Sequence, residues 1–138
     1  MTSSIHITEA DLDRLRKLIA AVQYSYSGRD REHVNTLADE LDRAEIIEPQ
    51  SIPRDVITMR SKVRLLDLDS GKEVVYSIVF PNEADSSQGK VSILAPIGTA
   101  MIGYKVGDMI EWEVPAGLRR MRVEEIIYQP EAAGDYHL

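Results

Sequence analysis

Ser92-Ile93-Leu94-Ala95-Pro96-Ile97-Gly98-Thr99-Ala100-Met101-Ile102-Gly103-Tyr104-Lys105-Val106-Gly107-Asp108 is the stretch on which the reading of this chain turns. It reads as a strand, a proline-fixed turn, a short helix, a glycine stop, and a Gly-Asp turn into another strand. In this reading Gly98 and Gly103 bound the helix, Pro96 pre-sets its first turn, and Met101 and Ile102 reach the core. Leu94, Ala95, Pro96 and Ile97 remain at the strand end as a small apolar edge, suited to docking on a helix of another protein. A purely structural corner accounts for the same residues, and the two readings are compatible.

Outward from this corner the chain reads mainly as strand. Residues 62–68 alternate, with Val63, Leu65 and Asp67 on one side. Asp69-Ser70-Gly71 is a tight turn into the β-rich run 73–80, so these two strands form a hairpin. A polar loop over 81–89 leads to a short strand at 91–94. Beyond the corner come a strand over 109–114, a Pro115-Ala116-Gly117 turn, and a long strand over 119–128. About five strands and one short helix imply an α+β domain, a twisted antiparallel sheet with the helix on one face. The tail over 129–138 is rich in Pro and Gly and reads as irregular.

Residues 8–45 read as two helices. Thr8 and Asp11 fit a helix start, and Leu12, Leu15, Ile19 and Val22 form one apolar stripe. Gly28 breaks the pattern, and Asp30 is a candidate cap for a second helix carrying Val34, Leu37, Leu41 and Ala44. Two narrow stripes joined by a short turn make an antiparallel coiled-coil hairpin, roughly 20–25 Å long at ~1.5 Å per residue. Their narrowness favours a hairpin that projects over helices laid on the main domain. Pro49 and Pro53 mark a linker. The expected division is therefore a helical hairpin over 1–48, a linker over 49–55, and a C-terminal domain over 56–138.

Composition removes several function classes. The chain of 138 residues carries a net charge of −7, and neither its first 50 residues nor the remainder is basic. A phosphate backbone is repelled by such a surface, which disfavours direct nucleic-acid binding. Aromatics are 6% of the chain, too few for a base-stacking platform. There are no cysteines, so disulfides, thiol nucleophiles and thiolate metal sites are excluded. His6, His33 and His137 lack metal-ligand spacing. No Gly-x-Ser-x-Gly, P-loop or dinucleotide fingerprint occurs, so no catalytic residue and no cofactor are expected. No segment approaches the ~20 apolar residues of a membrane span, and a cytoplasmic protein is the expectation.

Two charged groups need weighing. Asp30 and Glu32 lie at the hairpin tip, alternating with Arg29 and Arg31. Carboxylates there could hold a divalent cation, but a helix cap with a first-turn acid explains them more simply. Arg119, Arg120 and Arg122 fall on the last strand, where pairing with Glu111 and Glu113 of the preceding strand is expected.

The layout resembles the Gre family of transcript-cleavage factors. The family's order of motifs is met by Ala95-Pro96-Ile97-Gly98-Thr99-Ala100-Met101-Ile102-Gly103, Val106-Gly107-Asp108 and Pro115-Ala116-Gly117. The stretches Glu40-Leu41-Asp42-Arg43-Ala44, Asp55-Val56-Ile57-Thr58-Met59 and the segment Tyr128-Gln129-Pro130-Glu131-Ala132-Ala133-Gly134-Asp135-Tyr136 resemble a bacterial branch tied to nucleoside diphosphate kinase level. The resemblance implies an FKBP-like C-terminal domain and binding to RNA polymerase near its secondary channel, through Leu94, Ala95, Pro96, Ile97 and Gly98. It implies a non-enzymatic regulator that competes with Gre factors. Cleavage-stimulating members carry acids on a hairpin about twice as long, so that role is not carried over to Arg29, Asp30, Arg31 and Glu32. Two rival readings remain: a direct binding module for nucleoside diphosphate kinase, and a peptidyl-prolyl isomerase. The isomerase needs an aromatic-lined pocket, for which only Trp112, Phe80 and a few tyrosines are available.

Overall fold

The computed structural model describes residues 5–22, 25, 28–114 and 117–135, with backbone only for Arg29, Asp30, His33 and residues 112–114. Strand β1 (His6–Ile7) leads into helix α1 (Glu9–Val22), and α2 (Gly28–Asp42) returns to β2 (Glu45–Ile46). Strands β3 (Lys62–Asp67), β4 (Glu73–Val79) and β5 (Lys90–Ser92) follow. Helix α3 (Pro96–Met101), strands β6 (Met109–Val114) and β7 (Gly117–Tyr128), and a short helix α4 (Pro130–Ala133) complete the chain.

The five long strands form one sheet in the order β5-β4-β3-β7-β6. Its architecture is the expected α+β one, N-terminal helices followed by a sheet that carries a helix. The alternation in β3 decides the inner face: Val63, Leu65 and Asp67 are all buried. Their antiparallel neighbours add Met121 and Val123 from β7. Ile78 of β4, Ile110 of β6 and Met101 of α3 complete this part of the core, each with no exposure. One edge differs from a wholly antiparallel sheet, because β5 pairs with β4 in parallel. The 3-10 turns at Pro81–Glu83 and Ser86–Gln88 lie in the connection that makes this possible.

Helix α1 starts where its capping residue predicts. Thr8 Oγ1 accepts the Asp11 backbone N–H at 3.3 Å, satisfying a donor that has no partner inside the helix. Leu12, Leu15 and Ile19 from α1 meet Val34, Leu37 and Leu41 from α2. This seam continues without a break into the sheet core through Ile5, Ile57, Met101 and Ile102. Helix α2 begins at Gly28, so Asp30 stands inside its first turn and not ahead of it as a cap.

Three further readings change. The pair β1–β2 is parallel and ties the segment before α1 to the segment after α2, with His6 Nε2 3.1 Å from Glu45 Oε2. Residues 52–61, which include the second half of the expected linker, pack as a loop with Ile52, Val56, Ile57, Met59 and Ser61 buried. Its backbone is satisfied by Ile57 N–H on Tyr104 O at 2.7 Å and Gly103 N–H on Ile57 O at 3.0 Å. The tail is regular as far as Ala133, since Pro130 suits the first turn of α4 and Gly134, at φ 80°, supplies its left-handed stop. The Pro115-Ala116 part of the predicted turn lies outside the described residues.

Gly98 also has a different job from the one its position implies. It is the third residue of α3, not a boundary. A Cβ at Gly98 would lie 2.1 Å from Ser92 O and 3.1 Å from Ile93 Cα. Helix propensity alone favours Ala over Gly by about 1 kcal/mol. The contact reverses that sign, because backbone atoms cannot step aside. Gly98→Ala is therefore expected to destabilise the fold by at least about 2 kcal/mol in urea unfolding; a gain in stability would show that α3 does not sit this close to β5.

Candidate functional site

The corner between β5 and α3 is built by short hydrogen bonds from residues with small side chains. Ala95 N–H bonds Ser92 O at 3.0 Å, closing the turn. Ser92 Oγ accepts Leu94 N–H at 3.0 Å, and Thr99 Oγ1 donates to Ile93 O at 2.7 Å. Thr99 N–H reaches back to Ala95 O at 2.9 Å, and Ile93 N–H bonds Val79 O at 2.9 Å. The turn is thereby held from three sides, and Ile93 is fully buried beneath it.

Above that anchor, Leu94, Ala95, Pro96 and Ile97 are all half-buried. Leu94 and Ile97 rest on the core with part of each side chain open to solvent. Gly98 is buried, so it shapes the edge and offers no side chain to a partner. The structure thus brings four of the five expected docking residues to one apolar edge. Ser92 and Thr99, which fix its geometry, were missed as site residues. A hydroxyl within a few positions of Pro96 on each side was the available signal.

The other candidates are less organised. Asp30 and Glu32 are two positions apart on α2, and the side chain of Asp30 lies outside the described residues. Glu32 O accepts Thr36 Oγ1 at 2.9 Å within the helix, and Arg31 and Glu32 are exposed. Among the described residues no group of three or more His, Asp or Glu could hold a metal ion.

The strand arginines bond other carboxylates than Glu111, and the side chain of Glu113 lies outside the described residues. Arg120 lies opposite Glu111 in the β6–β7 register but bonds Asp69 Oδ1 at 2.8 Å. Arg122 Nη2 lies 2.7 Å from Glu124 Oε1 on its own strand. Arg119 bonds the buried Asp67 carboxylate. The Asp69 and Ser70 backbone N–H groups, with Arg119 after them, hold that carboxyl below the usual carboxylate range. Arg119 and Arg120 therefore brace the β3–β4 turn.

With that geometry in hand, the relatives are informative. Residues 52–128 match the family described as transcription elongation factor GreA/GreB, C-terminal part. The chain belongs to the GreA/GreB family. Residues 3–47 match the Rnk N-terminus. The regulator of nucleoside diphosphate kinase of Escherichia coli K12 is 42% identical over 129 residues, covering 93% of each chain. The GreA of Syntrophotalea carbinolica is 39% identical over 69% of this chain but only 60% of its own length. Among solved structures, a prokaryotic transcription elongation factor GreA/GreB from Nitrosomonas europaea superposes with a TM-score of 0.76 at 39% identity. That match covers 90% of this chain and 99% of the other. These relatives are named as regulators or elongation factors and not as enzymes. No described helix is long and apolar enough to cross a membrane.

The GreA/GreB-type corner has one open capping position. Ala95 precedes α3 in extended conformation, at φ −72° and ψ 150°, and makes no side-chain cap. Aspartate is a preferred residue in that geometry, where its carboxylate accepts a backbone N–H of the first turn. Ala95→Asp is expected to stabilise the fold by about 1 kcal/mol in chemical denaturation. A loss of similar size would mean that the Ala95 methyl is needed for packing.

Proposed function

We propose that the protein is a non-enzymatic regulator of transcription that docks on RNA polymerase near the secondary channel. The observation that carries this reading is the half-buried apolar edge Leu94–Ile97, held rigid on β5 within the segment that matches GreA/GreB. Residues fixed before binding lose little conformational freedom on docking, so a small patch can suffice. An apolar edge of this shape suits the side of a helix or helical coiled coil on the polymerase. Gly98 acts beneath the contact by holding α3 against β5.

In this reading the hairpin of α1 and α2 points towards the channel. Helices of 14 and 15 residues reach about 22 Å at ~1.5 Å per residue. The tip residues Arg29, Asp30, Arg31 and Glu32 then stop short of a buried catalytic centre. The protein therefore occupies the site, competes with longer Gre factors and does not stimulate transcript cleavage. It works in the cytoplasm, where polymerase is found, and needs no cofactor.

Likeness to a regulator of nucleoside diphosphate kinase over 93% of the chain supports an effect on the level of that kinase. Action through polymerase explains it without a second binding surface. Direct binding to the kinase is the competing reading, and co-elution of the two purified proteins without polymerase would favour it.

The test uses the stabilising variant. Ala95→Asp puts a carboxylate in the middle of the apolar edge while leaving the fold at least as stable. Wild type should be retained by immobilised polymerase and displaced by GreA, and Ala95→Asp should lose binding by tenfold or more. Undiminished binding of Ala95→Asp would sink the proposed docking edge. Cleavage of a stalled transcript by polymerase saturated with wild type should stay at its intrinsic rate; stimulation would refute the non-cleaving role.

A further inference from the structure

A cavity of about 550 Å³ opens at the foot of the hairpin, between the start of α1, the segment that follows β2, and α4. Five of the described residues that line it are acids: Glu9 and Asp13 of α1, Glu48 after β2, Glu131 of α4, and Asp135 just beyond. None of the described lining residues is Lys, Arg or His. One wall is apolar and includes Ile46 and Pro49. Ile46 is 57% exposed, although it is a large aliphatic side chain.

The acids differ in what already holds them. Asp13 lies 3.0 Å from Lys17 Nζ, and Asp135 Oδ2 accepts the Tyr128 hydroxyl at 2.5 Å. Glu9 and Glu48 are exposed and make no ion pair among the described residues. They outweigh the partial positive charge of about half a unit at the start of α1. Glu131 is the deepest, at 9% exposure. Thr58 Oγ1 donates to its Oε1 at 2.7 Å, and among the described residues no donor or cation meets Oε2. Arg60, on the same loop as Thr58, is engaged by Glu83 at 3.0 Å and lies over the Phe80 ring. A carboxylate drawn this far out of water with one oxygen unmatched carries an uncompensated desolvation cost, which an incoming cation removes.

We propose that this cavity is a docking site for a lysine side chain presented by a protein partner, with its ammonium on Glu131 and an aliphatic neighbour against Ile46. Charge complementarity selects a cation, and the burial of Glu131 makes one point of the acidic lining the anchor. Thr58 already occupies one carboxylate oxygen, which suits the single point charge of an ammonium over the two-pronged guanidinium of arginine. The methylene stem of a lysine covers apolar surface while its head reaches the charge, and the wall at Ile46 and Pro49 offers that surface. The site shares no residue with the edge at 94–97, and it stands or falls independently of polymerase docking there.

The full-length chain, labelled with nitrogen-15 and free in solution, tests this with the capped peptide Ser-Leu-Lys-Leu-Ser. The amide signals of Glu9, Ile47, Glu48 and Glu131 should shift saturably. The same peptide with its lysine acetylated should leave them unmoved, and an arginine version should bind more weakly. Glu131→Gln keeps an oxygen for Thr58 and removes the charge, and it should weaken binding about tenfold or more. Glu48→Gln, at an exposed position, should weaken it about threefold and serves if Glu131→Gln does not fold. Asp39→Asn, exposed on α2 and not lining the cavity, should bind as wild type does. Shifts that do not saturate, binding that survives acetylation, unchanged affinity in both cavity variants, or an equal loss in Asp39→Asn would overturn the site. An arginine peptide that binds as tightly would overturn the assignment to lysine. Saturable shifts with spermidine and none with the peptide would assign the cavity to a free amine and overturn protein docking.

Discussion

At Gly98 the backbone of α3 lies against the backbone of β5, and the missing side chain sets how the rest of the corner is arranged. A Cβ there would fall 2.1 Å from Ser92 O. No other residue type allows α3 to lie this close, and the short helix has only one turn and a half in which to use the approach. With the helix seated, Met101 and Ile102 enter the core and Thr99 reaches Ile93 O. The preceding residues, Leu94 to Ile97, are left as an edge that is half in and half out. The glycine is buried, so its contribution is geometric. It decides where its neighbours stand.

The same economy appears along the chain. Gly103, at φ 85°, turns the backbone out of α3, and a Cβ there would meet Ile5 Cγ1 at 2.8 Å. Ile5 lies just before α1, so the two ends of the α3 corner touch both the sheet and the foot of the hairpin. The hairpin is thereby referenced to the docking edge through packed atoms, not through a flexible tether.

Much of this was readable from the residues. The alternation of Val63, Leu65 and Asp67 correctly gave the inner face of β3, because a strand buried on one side leaves a period of two. The threes and fours of Leu12, Leu15 and Ile19 likewise gave the face of α1. What escaped were features set by atoms distant in sequence. The parallel pairing of β5 depends on two 3-10 turns within a polar loop. The burial of 52–61 depends on the α3 exit, where Tyr104 O accepts from Ile57 N–H and Gly103 N–H donates to Ile57 O in place of a neighbouring strand. Arg120 chose Asp69 over Glu111 because the β3–β4 turn folds beside its strand. Asp11 reads as an ordinary first-turn acid, whereas burial by distant segments, with the charge of Glu131 second, pushes its carboxyl up from 3.8 to about 6. At the β5–α3 corner the strand, turn and short helix are legible, while Gly98, read as a boundary of the helix, stands inside it.

The central claim is that the edge at 94–97 is the surface that meets polymerase. A photoreactive amino acid placed at Ile97, and in a separate variant at Val75 on the exposed face of β4, tests it directly. After irradiation with purified polymerase, the label at 97 should yield a covalent adduct mapping to a helical coiled coil near the secondary channel, and the label at 75 should yield none. Crosslinking from 75 with none from 97 would contradict the account.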